Sequence, residues 1–424
     1  MRLPTARDLT EEQEEVYLYA PTDGRVLVSG PPGTGKTVLA LLRAAELARK
    51  GRRVAVAMFN RMLEAYTSNR PPRQPGKITE KVEIRTVRYL FRDLWFRLRL
   101  PPHPSASVVL LDTPYSEREH AKALGARWKP QSKLWLPGRL RGAWTIGSDL
   151  YHSDPVRFER WKPTSDLPVT DDSEFSIDWD EATGHLLHHG SKANWMELRF
   201  DDLIVDEAQD FPPAFFRFLH LLSEGVFGNT ERTSSILVLA DENQRLRLTK
   251  NSTIADIEQA LRIPAERHYR LMTNFRNTRE IAIVSRHFFA GMRTGLPELP
   301  ERRGPMPVLR RCSDIRAVRA LILRHAANNP GHEIGVVVPD DDQARSRYFN
   351  EVKSNADHIR VQTYAFNDPV YNNPKGQLAF DEPGITVLNR ASCKGLEFDA
   401  VFVVHLEQAR IGGDQSISSG WACM

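Results

Sequence analysis

Short runs of nearly continuous apolar residues alternate along the chain with longer stretches whose apolar positions recur every three or four residues. The short runs are Arg25–Ser29, Val54–Ala57, Leu203–Val205, Ile236–Leu239, Ile334–Val338 and Val401–Val404. A strand covered on both faces reads this way, because neither face has to be polar. Alternation of such strands with amphipathic helices predicts an α/β fold built on parallel sheets. Several runs end in glycine-rich or acidic residues, and in open parallel sheets that carboxyl edge is where ligands sit. One predicted helix carries its core face on Val87, Leu90, Phe91, Leu94, Trp95 and Leu98. Arg88, Arg92 and Arg99 lie off that stripe, on a face that is either solvated or available to a nucleic-acid strand.

The rhythm breaks between Pro101 and Asn194, a region rich in Trp, Pro, His and Asp with short apolar pieces. This predicts an inserted domain and the following division: a first α/β domain over 1–95, an accessory insert over 96–195, the first domain resumed over 196–265, and a second α/β domain over 266–424. The Pro- and Arg-rich stretch Pro297–Pro307 reads as a loop near the start of that second domain.

Composition narrows the class. The 424 residues are 41% hydrophobic and 26% charged, enough apolar material for real cores. A net charge of +4 permits a nucleic-acid surface without demanding one. Cys312, Cys393 and Cys423 form no close pair, which argues against a disulfide scaffold or a structural zinc cluster. The segment Met1–Tyr19 has four glutamates and no apolar core, so no secretory signal is expected there. No apolar run reaches the roughly 20 residues of a membrane helix. The expectation is a soluble cytoplasmic protein without a membrane partner.

The strongest chemical signal is Gly30-Pro31-Pro32-Gly33-Thr34-Gly35-Lys36-Thr37, between a strand and a helix. Its glycines let backbone N–H groups turn toward phosphate oxygens, and the helix N-terminus adds partial positive charge. Lys36 would reach the β- and γ-phosphates, and the Thr37 hydroxyl would hold Mg²⁺. ATP and Mg²⁺ are therefore the expected cofactors. The second signal is Asp206-Glu207-Ala208-Gln209-Asp210 at the end of an apolar strand. Asp206 suits the Mg²⁺ shell, and the adjacent Glu207 suits a general base acting on water. The bland alternative is an acidic cap on the helix that follows.

These motifs, with others in order, resemble the UvrD/Rep type of superfamily-one helicases. Leu9-Thr10-Glu11-Glu12-Gln13 resembles that family's glutamine motif, implying that Gln13 reads the adenine edge. Leu239–Arg245 resembles its third motif, implying that Gln244 senses the γ-phosphate. Leu271–Asn277 resembles the fourth, implying that Phe275 stacks on adenine and that Arg276 reaches the γ-phosphate. Ser392–Asp399 resembles the fifth, implying a ribose contact for Glu397. The resemblance implies two RecA-like P-loop domains, the second short. It also implies an ATP-hydrolysing DNA helicase or translocase working 3′ to 5′ in repair, recombination or defence. An arginine directed at the γ-phosphate from a second domain is worth about 10³–10⁵ in rate and would couple closure to hydrolysis.

For the nucleic acid, the resemblance points to Phe59 as a base platform, Asn60 as a phosphate contact and Thr86 as another, on single-stranded or partly duplex DNA. Within the insert, Val109–Pro137 resembles a small domain of unknown function found in conjugative plasmid proteins. Tyr115, Trp128 and Trp135 there offer ring faces beside Lys122, Arg127, Lys129 and Lys133, unless those tryptophans are simply its core. The chain departs from the family at Asn389 and Ala391, where a Thr and a His are usual, and the last motif with its second arginine is expected to be missing after Val404. That departure supports an alternative, a regulatory ATP- and DNA-binding switch with little turnover that works through a partner nuclease.

Overall fold

The computed structural model describes residues 9–59, 81–129, 143–170, 177–198, 200–229, 234–245, 251–287, 293–339, 341–365, 370–371, 378–379 and 382–406. The described residues form three sheets. The strands of the first are β1 (Gly24–Ser29), β2 (Val54–Met58) and β3 (Val82–Thr86), interrupted in sequence by the insert strands β4 (Val108–Leu111), β5 (Arg127–Lys129) and β6 (Ala143–Gly147). The first sheet resumes with β7 (Asp202–Val205), β8 (Ser235–Ala240) and β9 (His268–Arg270). The second sheet holds β10 (Glu333–Val338), β11 (Val361–Thr363), β12 (Gly384–Asn389) and β13 (Ala400–Val403).

The first sheet runs β3-β2-β7-β8-β1-β9 and the second β11-β12-β10-β13, with parallel neighbours throughout. All six apolar runs picked out by pattern are strands of these sheets. The physical reason is visible in β2, β7 and β8, every residue of which is buried. Helix Lys36–Arg49 packs Leu39, Ala40, Ala44 and Leu47 on one face of the first sheet with Val26, Val28, Val56 and Leu239. On the other face, Phe91, Leu94 and Trp95 of helix Val87–Leu98 meet Phe215 and Phe218 of helix Pro213–Asn229.

Two boundaries differ from the sequence reading. Residues 268–270 were expected to open the second domain, but β9 pairs with β1 as the edge strand of the first sheet. Three residues are too short a run for periodicity to assign to a sheet, so only pairing decides. The insert is also tighter than 96–195. Helix Trp179–His189 buries Trp179, Ala182 and Leu186 in the first domain's core, with the Trp179 ring 4.9 Å from that of Phe215. The insert's own core is Val109, Leu111, Ala121, Ala126, Trp144, Ile146, Tyr151, Phe158 and Trp161, under the antiparallel sheet β4-β6-β5. Trp128 and Tyr115 stand outside it, 46% and 78% exposed. Trp128 leans on Trp144, and the Arg118 guanidinium lies 4.2 Å over the Tyr115 ring. Lys133 and Trp135 lie outside the described residues. Arg92, off the helical stripe, is paired with Asp166.

Packing at the return from the insert gives a stability prediction. A Cβ at Gly225, inside helix Pro213–Asn229, would stand 2.2 Å from the Trp195 ring. Alanine is the better helix former by about 0.8–1.0 kcal/mol. Overpacking outweighs that, so Gly225→Ala is expected to destabilise by about 1–3 kcal/mol. A urea midpoint that does not fall would mean the ring moves aside freely.

Candidate active site

The carboxyl ends of β1, β7 and β8 are neighbours in the sheet, and the sequence places a candidate segment after each. After β1 comes the phosphate loop, tied to β8 where the Gly30 N–H donates to the Ala240 carbonyl at 3.2 Å. Gly33 and Gly35 take φ of +82° and +78°, the left-handed region that other residues enter at a cost. Space forbids a side chain as well: a Cβ at Gly33 would lie 2.3 Å from Asn274 Oδ1, and one at Gly35 would lie 2.7 Å from Gln13 Nε2. Lys36 opens the helix and donates to the carbonyls of Gly30 and Pro31 at 2.6 and 3.0 Å.

Gln13 is held from both ends. Thr10 and Gln13 form a reciprocal capping box at the start of helix Glu11–Glu14, and Gln13 Nε2 donates to the Thr34 carbonyl at 3.0 Å. Beside it, the Glu12 carboxylate accepts from the N–H of Met272 at 2.8 Å. The segment leaving β9 is thereby wrapped over the phosphate loop, where the Phe275 N–H donates to the Gly33 carbonyl at 2.9 Å. Asn274 Oδ1 accepts from the N–H of Arg276 at 3.1 Å and fixes the turn. Phe275 itself stays 45% exposed.

After β7, Asp206 is fully buried and its Oδ2 accepts from the Thr37 hydroxyl at 2.7 Å. Burial and the neighbouring Glu207 push its carboxyl above the usual range. Glu207 sits at φ +53° and ψ +39°, a left-handed conformation that costs a non-glycine residue about 1–3 kcal/mol and is concentrated at functional sites. Burial works to raise Glu207, but the ammonium groups of Lys394 and Lys36 and the Gln209 amide outweigh it and hold the carboxyl low. Gln209 is the crosspiece: Nε2 donates to Glu207 Oε2 at 2.5 Å, and Oε1 accepts from the Asp241 N–H at 2.9 Å. Asp241 follows β8 and is fully buried, its Oδ2 without a hydrogen-bond partner among the described residues and 4.0 Å from Lys36 Nζ. Burial pushes its carboxyl up to about 6.

Two side chains arrive from the second sheet. Asn389 caps helix Arg390–Cys393, accepting from the Ser392 N–H at 2.9 Å, and the chain leaves that turn at Lys394. Lys394 Nζ is ion-paired with Asp210, lies 3.3 Å from Glu207 Oε2 and donates to the Gln244 carbonyl at 2.7 Å. Glu397 Oε1 accepts from Arg276 Nε at 2.8 Å. Arg276 was expected on the second domain; it follows β9 of the first sheet instead, and Glu397 is the member of that pair from the second.

The structure thus gathers Gln13, Gly30, Gly33, Thr34, Gly35, Lys36, Thr37, Asp206, Glu207, Gln244, Phe275, Arg276 and Glu397 into one connected neighbourhood. Phe59 lies apart from it, half-buried at the end of β2 with its ring 5.7 Å from Phe211 in an edge contact. Thr86 ends β3 buried, with an Oγ1 that finds no hydrogen-bond partner among the described residues. Asn60 lies outside the described residues, as does the segment after Leu406. Sequence alone assigns no role to Asp241, Asp210, Gln209 and Lys394. For Asp241 the signal was available, since an acid directly after an apolar strand is the same mark that singled out Asp206.

Among known families, the one described as "Domain of unknown function (DUF5710)" matches residues 109–136. No curated protein matches the chain. Among solved structures, a Pif1 helicase from Candida albicans is similar at 13% identity and a TM-score of 0.38, over 81% of this chain and 54% of that one. The Escherichia coli DEAH/RHA helicase HrpB is similar at 11% identity and a TM-score of 0.35, over 89% of this chain and 33% of that one. A further Pif1 structure, of two coordinating helicases at forked double-stranded DNA, gives 14% identity and a TM-score of 0.27 over 66% of this chain and 48% of that one. The chain spans about half the length of the Pif1 chains it resembles.

Proposed function

We propose that this chain is an ATP-hydrolysing motor of the helicase type, with two RecA-like domains, that works on single-stranded DNA. The observation that carries the reading is the meeting of a phosphate loop, the Thr37–Asp206 contact and the catalytic-type acid Glu207 at one sheet edge. A second sheet reaches the same edge through Lys394 and Glu397. The donor set fits a hard divalent cation, being a hydroxyl and buried carboxylates that lack enough positive charge of their own. Thr37 and Asp206 would hold magnesium, which when bound withdraws charge from the phosphate oxygens. Lys36 leaves the Gly30 and Pro31 carbonyls to neutralise phosphate. Glu207 accepts a proton from the attacking water, Arg276 offsets charge that develops on the transferred group, and Gln13 and Phe275 seat the base. The UvrD/Rep type, 3′ to 5′ movement, and a place in repair, recombination or defence are finer parts of the same reading and rest on the sequence resemblance.

A specific observation favours a second reading, a switch acting through a partner nuclease. Glu207 and Arg276 both already hold charged partners, Lys394 and Glu397. Steady-state ATP hydrolysis with and without single-stranded DNA separates the two. A motor is expected to show stimulation of roughly tenfold or more, the size of an ordinary coupling between two sites. Bound ATP with no turnover in either condition would leave only the switch.

A further inference from the structure

We propose that Asp241 is a third carboxylate of the magnesium–nucleotide site, which would accept a hydrogen bond from a water in the ion's shell. The inference rests on the nucleotide reading above and extends it to a residue that reading does not use. Asp241 is fully buried, yet only one of its carboxylate oxygens is satisfied by hydrogen bonding: Oδ1 accepts from the Asn243 N–H at 3.0 Å. Oδ2 has no such partner among the described residues. A buried carboxylate oxygen left this way is costly, and native proteins keep one where something else completes it.

Geometry says where that completion lies. Oδ2 is 4.0 Å from the ammonium of Lys36, the first residue of the helix that the phosphate loop opens. The peptide unit that joins Ala240 to Asp241 is held at both its polar groups, by Gln209 Oε1 on the Asp241 N–H and by the Gly30 N–H on the Ala240 carbonyl. The side chain is held in turn by the Asn243 N–H on Oδ1 and is fully buried.

Charge points to a cation. The linked carboxylates Asp206, Glu207, Asp210 and Asp241 face the ammonium groups of Lys36 and Lys394. Four negative charges against two positive ones leave a deficit equal to one divalent ion. Lys36 satisfies part of Asp241 only while it stays folded on its own loop. Once Lys36 turns to phosphate, Asp241 needs a different donor, and metal-bound water is a strong one. The acids do not cluster closely enough for direct ligation among the described residues, which is why the contact is assigned to water.

The test is binding of a fluorescent ADP analogue to the full chain at increasing Mg²⁺, for the unaltered protein and for Asp241→Asn and Asp241→Ala, with thermal unfolding of each. Asparagine keeps the shape and the hydrogen bond from Asn243 while removing the charge. The expected result is a half-saturating Mg²⁺ concentration raised about 10–100-fold in both variants, the usual penalty for losing such an outer partner. Nucleotide affinity without Mg²⁺ should be unchanged. If the variants instead weaken metal-free nucleotide binding and leave the Mg²⁺ dependence alone, Asp241 serves Lys36 and the proposal is overturned. Lower thermal stability with an unchanged Mg²⁺ titration overturns it as well, leaving a packing role. If the unaltered chain binds no nucleotide at any Mg²⁺ concentration, the parent reading fails first.

Discussion

Glu207→Gln is expected to reduce ATP turnover by about 10²–10⁴ while leaving nucleotide binding largely intact, because it removes a positioned base and keeps its shape. Lys394 would lose one carboxylate but keep Asp210 and the Gln244 carbonyl, so the contact between the two sheets should survive. The introduced amide can present its oxygen to Gln209 Nε2, so the Gln209 crosspiece keeps its bond from the Asp241 N–H. Lys36→Ala makes the informative contrast, since its side chain lies in the loop and its loss should fall on binding itself. Steady-state hydrolysis paired with direct nucleotide binding separates the two effects. If Glu207→Gln lowers turnover by less than about threefold, the base is another group and the acid is structural.

The same residues show how far the sequence could be read. The buried strands were plain in the amino-acid pattern because a strand covered on both faces has to be apolar along its length, as β2 and β8 are. The conformation of the glycine-rich loop was legible because backbone wrapping needs glycine where φ is positive, and Gly33 and Gly35 are there. Sheet membership of β9 was not legible: three residues, none of them buried, carry no period, and their partner is more than two hundred residues away. The insert was visible as a break in rhythm, but its limits were not. Trp179 and Leu186 are as apolar as the insert's own core and only packing assigns them to the first domain. Lys394 was invisible as a site residue for a related reason. A lysine beside a glycine in a loop has no signature of burial, and its pairing with Asp210 and Glu207 spans the gap between two sheets.

Arg276 and Glu397 allow the second large effect to be separated into its parts. Their side chains are 26% and 21% exposed, so the ion pair between them is partly screened and contributes about 0–1 kcal/mol to the fold. Breaking it should leave a stable protein, which makes both substitutions usable in kinetics. Arg276→Ala is expected to lower kcat by about 10³–10⁵ with a small change in KM, as befits a charge needed chiefly in the transition state. Arg276→Lys should recover little, because an ammonium cannot present the planar fork of donors. Glu397→Gln is expected to do the opposite: KM for ATP rises by about 5–10-fold if the carboxylate holds the ribose, while kcat is kept or raised because Arg276 has lost a competitor. An Arg276→Ala variant with undiminished kcat would mean that this arginine only ties the two sheets together. The charge at the γ-phosphate would then have to come from Lys36 alone or from a partner molecule, and the switch would become the better description of this chain.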